Sequence, residues 1–344
     1  MKCSKAIPFF IILAWQLALV LGCLPAEAQS SDPHKTFAYV TNDANASNTV
    51  SVIDTATNTV AATILVGHNP TGVAITPNRA FLYVVINSDN SVSAINTHSN
   101  MVVATVPVGS HPAGVAITPN GAFAYVTNIG SNTVSVINTV SNRVVATVPV
   151  GMGPYAVAIT PNGSFAYVAN NTVGTVSVIA TTTNAVVATV PVERNPDSVA
   201  ITPDGNFAYV VNDNSNDVSV ISTLSNTVVA TVPVGNIPAG VAITPDGAFA
   251  YVANYNSNTL SVIDTASNAV VATVPVGSGN NPFELAITPD GAFVYVTNQG
   301  FNINTVSVVS TASNTVVATV PVGISPFGVA ITPAAPTSGS ITVQ

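Results

Sequence analysis

The stretch AITPDGAFAYVAN, residues 242–254, decides the fold because near copies of it recur along the chain. Its Tyr-Val dipeptide occurs at seven places, spaced by 42 or 44 residues. A fixed period of this length indicates a solenoid, a propeller or another repeat array. The seven tyrosines are Tyr39, Tyr83, Tyr125, Tyr167, Tyr209, Tyr251 and Tyr295.

Each repeat contains four short apolar segments rich in β-branched residues, with turn signals between them. In the unit that starts at residue 240 the segments are GVAIT, FAYVAN, LSVID and AVVATVPV. Four antiparallel strands in about 42 residues are the size of one propeller blade. The fourth segment carries a proline in six of the seven copies. Proline cannot donate to a β-ladder, so this segment is predicted to be the outer edge strand, and the first segment lines the central channel.

The two ends of the repeat region predict a closed ring. The first unit begins at Phe37 without a first strand, and the last Ile-Thr-Pro, residues 331–333, is a first strand with no unit after it. These two parts complete one blade if they pair. The sequence therefore predicts an all-β, seven-bladed β-propeller with four antiparallel strands per blade, closed by the C-terminal strand joining the N-terminal blade. The propeller covers residues 37–333, after a short segment 29–36 and before a tail 334–344.

Tyr125-Val126-Thr127-Asn128, with similar copies at 39, 167, 251 and 295, resembles the repeat of the YVTN β-propeller family of archaeal surface-layer proteins and many exported bacterial proteins. The resemblance covers about residues 37–333, and it extends more distantly to lactonase-like propellers. It implies the fold directly. It implies a function only weakly, because propellers carry many functions.

The N-terminal residues have the order of a secretory signal peptide, residues 1–28. Lys2 and Lys5 precede an apolar run, and Ala-Glu-Ala at 26–28 fits a cleavage site. The alternative is lipoprotein processing at Cys23, which would anchor the protein to a membrane. The only other cysteine is Cys3, so the mature chain is expected to have no disulfide. We also expect no transmembrane segment in the mature chain. We expect a secreted, periplasmic or cell-surface protein.

The mature composition limits the classes of partner. Loss of Lys2, Lys5 and Glu27 changes the formal net charge from −8 to about −9. That sign argues against nucleic acid and anionic lipid as partners. Only 6% of the chain is charged, so few side chains are available for acid–base catalysis.

One face of the disc varies between the copies and the other does not. The second-to-third and blade-to-blade loops, here called the variable face, differ from copy to copy, whereas the opposite face repeats Pro-Asx-Gly and Ser-Asn turns. Loops on a rigid scaffold carry function, so the ligand is expected on the variable face. Insertions at 43–48, 278–282 and 299–304 fall in one sector of it. Aromatic residues that predict a glycan, peptide or protein contact are Tyr255, Phe283, Phe301, Phe327 and Tyr155; the alternative is that each ring only packs into its own loop.

Charged residues give weaker hypotheses. Glu193, Arg194 and Asp197 stand near Asp213 and Asp217, which suggests a weak divalent-cation site or a solvated charge cluster. His68 and His111, in consecutive blade-to-blade loops, are a second metal hypothesis that lacks a third ligand. No other cofactor is predicted.

Catalytic constellations are scarce. Lactonase-like propellers use acidic, His and Arg residues at the channel mouth, and here these would come from Glu284, Glu193, Arg194 and His111. Glu284 occupies a position that is Gly, Ala or Ser in the other copies; burial in the channel would raise its pKa. The leading interpretation is a non-enzymatic binding or interaction module, and the alternative is a lactonase-like hydrolase or lyase at the channel mouth. A metal-handling or cofactor-handling periplasmic accessory is a third reading.

Overall fold

The computed structural model describes residues 35–43 and 48–334, and within them it forms a ring of seven four-stranded antiparallel sheets. The predicted signal peptide, Cys3, Cys23, His34 and nearly all of the tail lie outside these residues. No helix among the described residues is long and apolar enough to cross a membrane.

The strands follow one another with a period of four. In chain order they are β1 (Phe37–Asn42), β2 (Thr49–Asp54), β3 (Thr59–Leu65), β4 (Pro70–Ile75), β5 (Phe81–Ile86), β6 (Ser91–Asn96), β7 (Met101–Pro107), β8 (Pro112–Ile117), β9 (Phe123–Asn128), β10 (Thr133–Asn138), β11 (Arg143–Pro149), β12 (Pro154–Ile159), β13 (Phe165–Asn170), β14 (Thr175–Ala180), β15 (Ala185–Pro191), β16 (Pro196–Ile201), β17 (Phe207–Asn212), β18 (Asp217–Ser222), β19 (Thr227–Pro233), β20 (Pro238–Ile243), β21 (Phe249–Asn254), β22 (Thr259–Asp264), β23 (Ala269–Pro275), β24 (Pro282–Ile287), β25 (Phe293–Asn298), β26 (Thr305–Ser310), β27 (Thr315–Pro321) and β28 (Pro326–Ile331). One 3₁₀ turn, Asp213–Ser215, separates β17 from β18.

The predicted closure and blade order are confirmed. β28 pairs with β1, with Tyr39 opposite Ala330 and Val40 opposite Val329, so blade 1 has the order β28-β1-β2-β3. Blades 2 to 7 are β4–β7, β8–β11, β12–β15, β16–β19, β20–β23 and β24–β27. The proline-bearing fourth strand is the exposed outer edge, as its inability to donate a hydrogen bond requires.

The two middle strands of each blade are buried because neighbouring blades cover both of their faces. Each core cluster therefore spans two blades, and Tyr295 of blade 7 packs with Ala38 and Val40 of blade 1 in the same way. The closing seam thus buries the same kind of apolar surface as the other seams. Burial of apolar area on both faces is the main stabilising term for each blade.

The repeated tyrosine joins adjacent blades through its hydroxyl group. Tyr167 donates a 2.7 Å hydrogen bond to Oδ1 of Asn226 in the next blade. Asn226 has a left-handed backbone, with φ of 53°, which asparagine tolerates better than most residues. At the ring closure Tyr295 makes the equivalent bond to Asn58, at 2.6 Å.

We predict that this bond is worth about 1 kcal/mol in each pair. Tyr167→Phe removes the donor, and Asn226→Gly removes the acceptor while keeping the left-handed backbone free of strain. A double-mutant cycle measured by urea unfolding should give a coupling energy of about 1 kcal/mol. Strictly additive single effects would show that the bond contributes nothing.

The repeated asparagine at the end of the second strand has a structural role. Asn128 Nδ2 donates to Thr133 Oγ1 at 3.1 Å and to Ser135 Oγ at 3.0 Å, inside its own blade. Its main contacts are therefore bonds to side-chain hydroxyl groups of the next strand and not a cap on a backbone group. In blade 2 the equivalent position is Ile86, which lies opposite Pro70.

Candidate functional site

The variable-face end of the central channel, here called the channel mouth, is built from the first residues of the seven channel strands. These strands are β28, β4, β8, β12, β16, β20 and β24, and each begins with proline. The residue after that proline differs in almost every blade. From blade 1 to blade 7 it is Phe327, Thr71, Ala113, Tyr155, Asp197, Ala239 and Phe283.

The mouth encloses a cavity of about 160 Å³. Most of its wall is glycine, alanine and valine, and the large or polar side chains that line it are Tyr155, Ser198, Glu284 and Phe327. Channel strands can approach closely because several carry glycine at the third position: a Cβ on Gly240 would lie 2.5 Å from the carbonyl oxygen of Phe283. The channel is therefore narrow and apolar, with its polar chemistry concentrated in a few side chains.

A β-bulge at the start of each channel strand sets the direction of these side chains. In blade 7 the register shifts between Pro282 and Leu285, so that Phe283 and Glu284 together face Thr297 of β25. The Glu284 backbone N–H donates to Thr297 Oγ1 at 3.0 Å, and that hydroxyl donates to the Phe327 carbonyl of blade 1 at 2.8 Å. Thr297 thereby positions both Glu284 and Phe327.

The Glu284 carboxyl group reaches across the neighbouring blade. Its Oε2 lies 3.1 Å from the point where a Cβ on Gly240 would stand, so the absence of a side chain in blade 6 makes room for it. Beyond Gly240 lies blade 5, whose Asp197 interacts electrostatically with Glu284. Burial, together with Asp197, raises the pKa of Glu284 from 4.5 to about 8.

Asp197 is the second half-buried acid of the mouth. Burial, with a smaller contribution from the charge of Asp213, raises its pKa from 3.8 to about 7. Asn171 Nδ2 donates to Asp197 Oδ1 at 3.2 Å, and Asn171 in turn accepts from Asn195. Among the residues that the structure describes, no basic side chain pairs with Asp197 or Glu284.

Two further aspartates face the same region. Burial raises the pKa of Asp43 to about 6 and also raises that of Asp213. Each has a buried Oδ1 without a hydrogen-bond partner. The pKa of Tyr155 is raised well above its usual value by burial and by the charges of all four acids. The channel mouth is thus a concentration of negative potential in an apolar frame.

Three of the aromatic residues singled out from the sequence form one cluster on the rim. Phe283 contacts Phe327 with ring centroids 4.6 Å apart, and Tyr255 packs edge-on against Phe283 at 6.3 Å. Tyr155 lines the cavity with Phe327. Phe301 lies outside this cluster, with 93% of its surface exposed.

The residues of the metal hypotheses are dispersed. Asp217 accepts a 2.7 Å hydrogen bond from Asn212, and His68 pairs with Asp89 at 3.1 Å. The His111 backbone N–H donates to Asn90 Oδ1 at 2.8 Å, and the contact is exposed. Within residues 35–43 and 48–334, no three His, Cys, Asp or Glu side chains lie close enough to hold a metal ion.

The lactonase-like set is not gathered either. Glu193, Arg194 and His111 are exposed, and only Glu284 of the four lines the cavity. The partner that sequence reasoning missed is Asp197, which it assigned to a loop charge cluster. Aligning the seven channel strands would have placed Asp197 in the same column as Tyr155, Phe283 and Phe327.

Comparison with known proteins agrees with this architecture. The family model described as YNCE-like beta-propeller matches residues 25–250, and the model of the lactonase 7-bladed beta-propeller matches residues 203–320. Among curated proteins, no sequence matches this chain significantly.

Similar solved structures are also propellers of low sequence identity. Hydrazine synthase from Kuenenia stuttgartiensis matches at 25% identity and a TM-score of 0.69, over 79% of this chain and 95% of that one. A functionally unknown protein from Desulfotomaculum acetoxidans matches at 21% identity and 0.73, over 86% and 99%. A putative 6-phosphogluconolactonase from Bacteroides uniformis matches at 17% identity and 0.73, over 87% and 99%.

Proposed function

Because this chain belongs to the YNCE-like β-propeller family, we propose that it is an exported, non-enzymatic binding module whose ligand enters the channel mouth. The observation that carries the proposal is the contrast between the variable face and the opposite face of the disc. The opposite face repeats the same turns, whereas the mouth combines the Tyr255–Phe283–Phe327 cluster with the half-buried Glu284 and Asp197.

The physical case for binding rests on preorganisation. The aromatic rings lie on strands or directly after them, so they lose little conformational entropy when a ligand packs on them. The Thr297 hydroxyl accepts a hydrogen bond from the Glu284 backbone N–H and donates one to the Phe327 carbonyl, which fixes the backbone at both residues. Glycans, peptides and proteins all offer groups that pack on such rings. Export rests on the predicted signal peptide alone.

The double variant Phe283→Ala with Phe327→Ala should abolish binding in a glycan-array or pull-down assay, since both rings of the closest pair are removed. We expect at least a tenfold loss of affinity, or about 1.4 kcal/mol. The matched control is Val140→Ala with Leu224→Ala on the opposite face, where the two side chains are 90% and 96% exposed. Equal loss in both double variants, or no loss in the first, would contradict the proposal.

The second candidate function is a lactonase-like hydrolase or lyase. It is favoured by one observation, the carboxyl pair of Glu284 and Asp197, whose raised pKa values are suited to proton transfer near neutral pH. The lactonase model also matches the segment that contains Glu284. Turnover of a lactone that is abolished by Glu284→Gln would favour this function over simple binding.

A further inference from the structure

We infer that the channel mouth recognises a small organic cation, an amine or a quaternary ammonium group, held between the Phe283, Phe327 and Tyr155 rings and the carboxyl groups of Glu284 and Asp197. This inference rests on the proposed binding function and names its ligand class. It is argued from the charge, the rings and the shape of the cavity.

Glu284 has no positively charged partner among the described residues. Among the described residues, the Leu285 backbone N–H donates to the Glu284 carboxyl group and no side chain does. Glu284 lines the cavity and is half-buried. Burying a carboxyl without a positive partner costs free energy. A cationic ligand would supply the partner that the protein lacks.

Aromatic rings lie beside the Glu284 carboxyl group at the channel mouth. Phe327 and Tyr155 line the same cavity as Glu284, and Phe283 packs against Phe327 at 4.6 Å. The face of an aromatic ring carries negative electrostatic potential and attracts ammonium groups, most strongly where water is excluded. The rings and the carboxyl groups of the channel mouth therefore both favour a positively charged ligand.

The side chains of the mouth suit an organic cation better than a metal ion. Divalent cations such as Ca²⁺ need six or more oxygen ligands around one point. The described residues include no group of three acidic or histidine side chains close enough to hold an ion. An alkylammonium group needs only one or two carboxylates and an apolar enclosure, and the valine and alanine wall provides that enclosure.

Proton linkage gives the inference a distinctive signature. The pKa values of Glu284 and Asp197 are raised to about 8 and about 7, so the pair still holds a proton at neutral pH. A bound cation stabilises the ionised forms and releases that proton. Asp43, Asp213 and the Tyr155 hydroxyl also face the mouth and have raised pKa values. A bound cation favours the ionised form of each of these groups as well. Affinity should therefore increase with pH.

The test is a calorimetric titration of the full mature chain with choline, with its uncharged isostere 3,3-dimethyl-1-butanol, and with Ca²⁺ alone. We expect choline to bind at least tenfold more tightly than the isostere, and at least tenfold more tightly at pH 9 than at pH 6. Glu284→Gln should weaken choline binding at least tenfold, whereas the matched control Asp246→Asn on the opposite face should leave it unchanged. The control substitution keeps the turn, because three other repeats carry Asn78, Asn120 or Asn162 at that position.

Three results would overturn the inference: equal binding of choline and its isostere, binding of Ca²⁺ without choline, or an unchanged choline affinity in Glu284→Gln. No binding of any of these probes would also overturn it. In that case the proposed function would still stand if the intact protein binds in the glycan-array or pull-down assay and the Phe283→Ala, Phe327→Ala variant does not. The proposed function would also be wrong if the intact protein shows no binding in that assay.

Discussion

Deletion of residues 323–344 is expected to abolish cooperative folding. The deletion removes β28, which supplies the channel strand of blade 1 and pairs with β1. It leaves the edge of β1 unpaired and opens the core that joins blade 1 to blade 7. A native domain is stable by only about 5–15 kcal/mol, so losing a whole ladder and its packing consumes most of that margin. Thermal unfolding followed by circular dichroism should show no cooperative transition, and the protein should aggregate.

A circular permutant provides the matched control. Residues 323–333 are placed before Phe37 and joined to it by the sequence of residues 246–248, which makes the same turn in blade 6. Every native pairing of β28 with β1 can then form within a continuous chain. We expect the permutant to melt close to the intact protein. A deletion variant that melts and scatters X-rays like the intact chain would show that the ring does not depend on its closure.

The stability of the intact protein is expected to fall as the pH rises from about 5 to 9. Glu284, Asp197 and Asp43 have folded-state pKa values raised to about 8, 7 and 6. The folded protein therefore holds these protons at pH values where the unfolded chain has released them, and its relative stability decreases until the folded-state groups have ionised. One pKa unit corresponds to about 1.4 kcal/mol, and water in the open channel reduces this effect.

The variant Glu284→Gln should reverse much of this loss because a neutral amide replaces the buried acid. We expect its Tm to exceed that of the intact protein by about 2–6 °C at pH 9, with little difference at pH 5. The control Asp246→Asn should instead lower the Tm, because a hydrogen bond from Thr244 lowers the pKa of Asp246 and stabilises its charged form. If Glu284→Gln is less stable than the intact protein at pH 9, the carboxyl is not buried as described.

Much of the fold could be read from the sequence because a repeat displays its own rules. Seven copies show which positions the blade requires, and the proline of the fourth strand and the incomplete first unit give strand order and closure. The role of the repeated tyrosine could not be read in this way. Its hydroxyl bonds to an asparagine more than 50 residues further along the chain, as Tyr167 does with Asn226, and only the packing of blades brings the two together.

The candidate site was predicted less well because it depends on departures from the repeat. Glu284 was identified as an exception to the small residues at its position, and its pKa was expected to rise if the channel buried it. Its partner was missed, since Asp197 lies two blades away and interacts with Glu284 through the electrostatic field of the channel mouth. Phe301 was grouped with the other rings, but its side chain is exposed and does not join their cluster.

The most direct test of the account is the titration of the Glu284 carboxyl group itself. The chain has only three glutamates, Glu27, Glu193 and Glu284, so ¹³C labelling of glutamate carboxyl carbons gives a spectrum that Glu284→Gln can assign. We predict that the resonance missing in that variant titrates near pH 8 in the free protein, and that saturating choline moves its midpoint to lower pH. A Glu284 resonance that titrates near 4.5 and ignores choline would contradict both the buried carboxyl and the cation site.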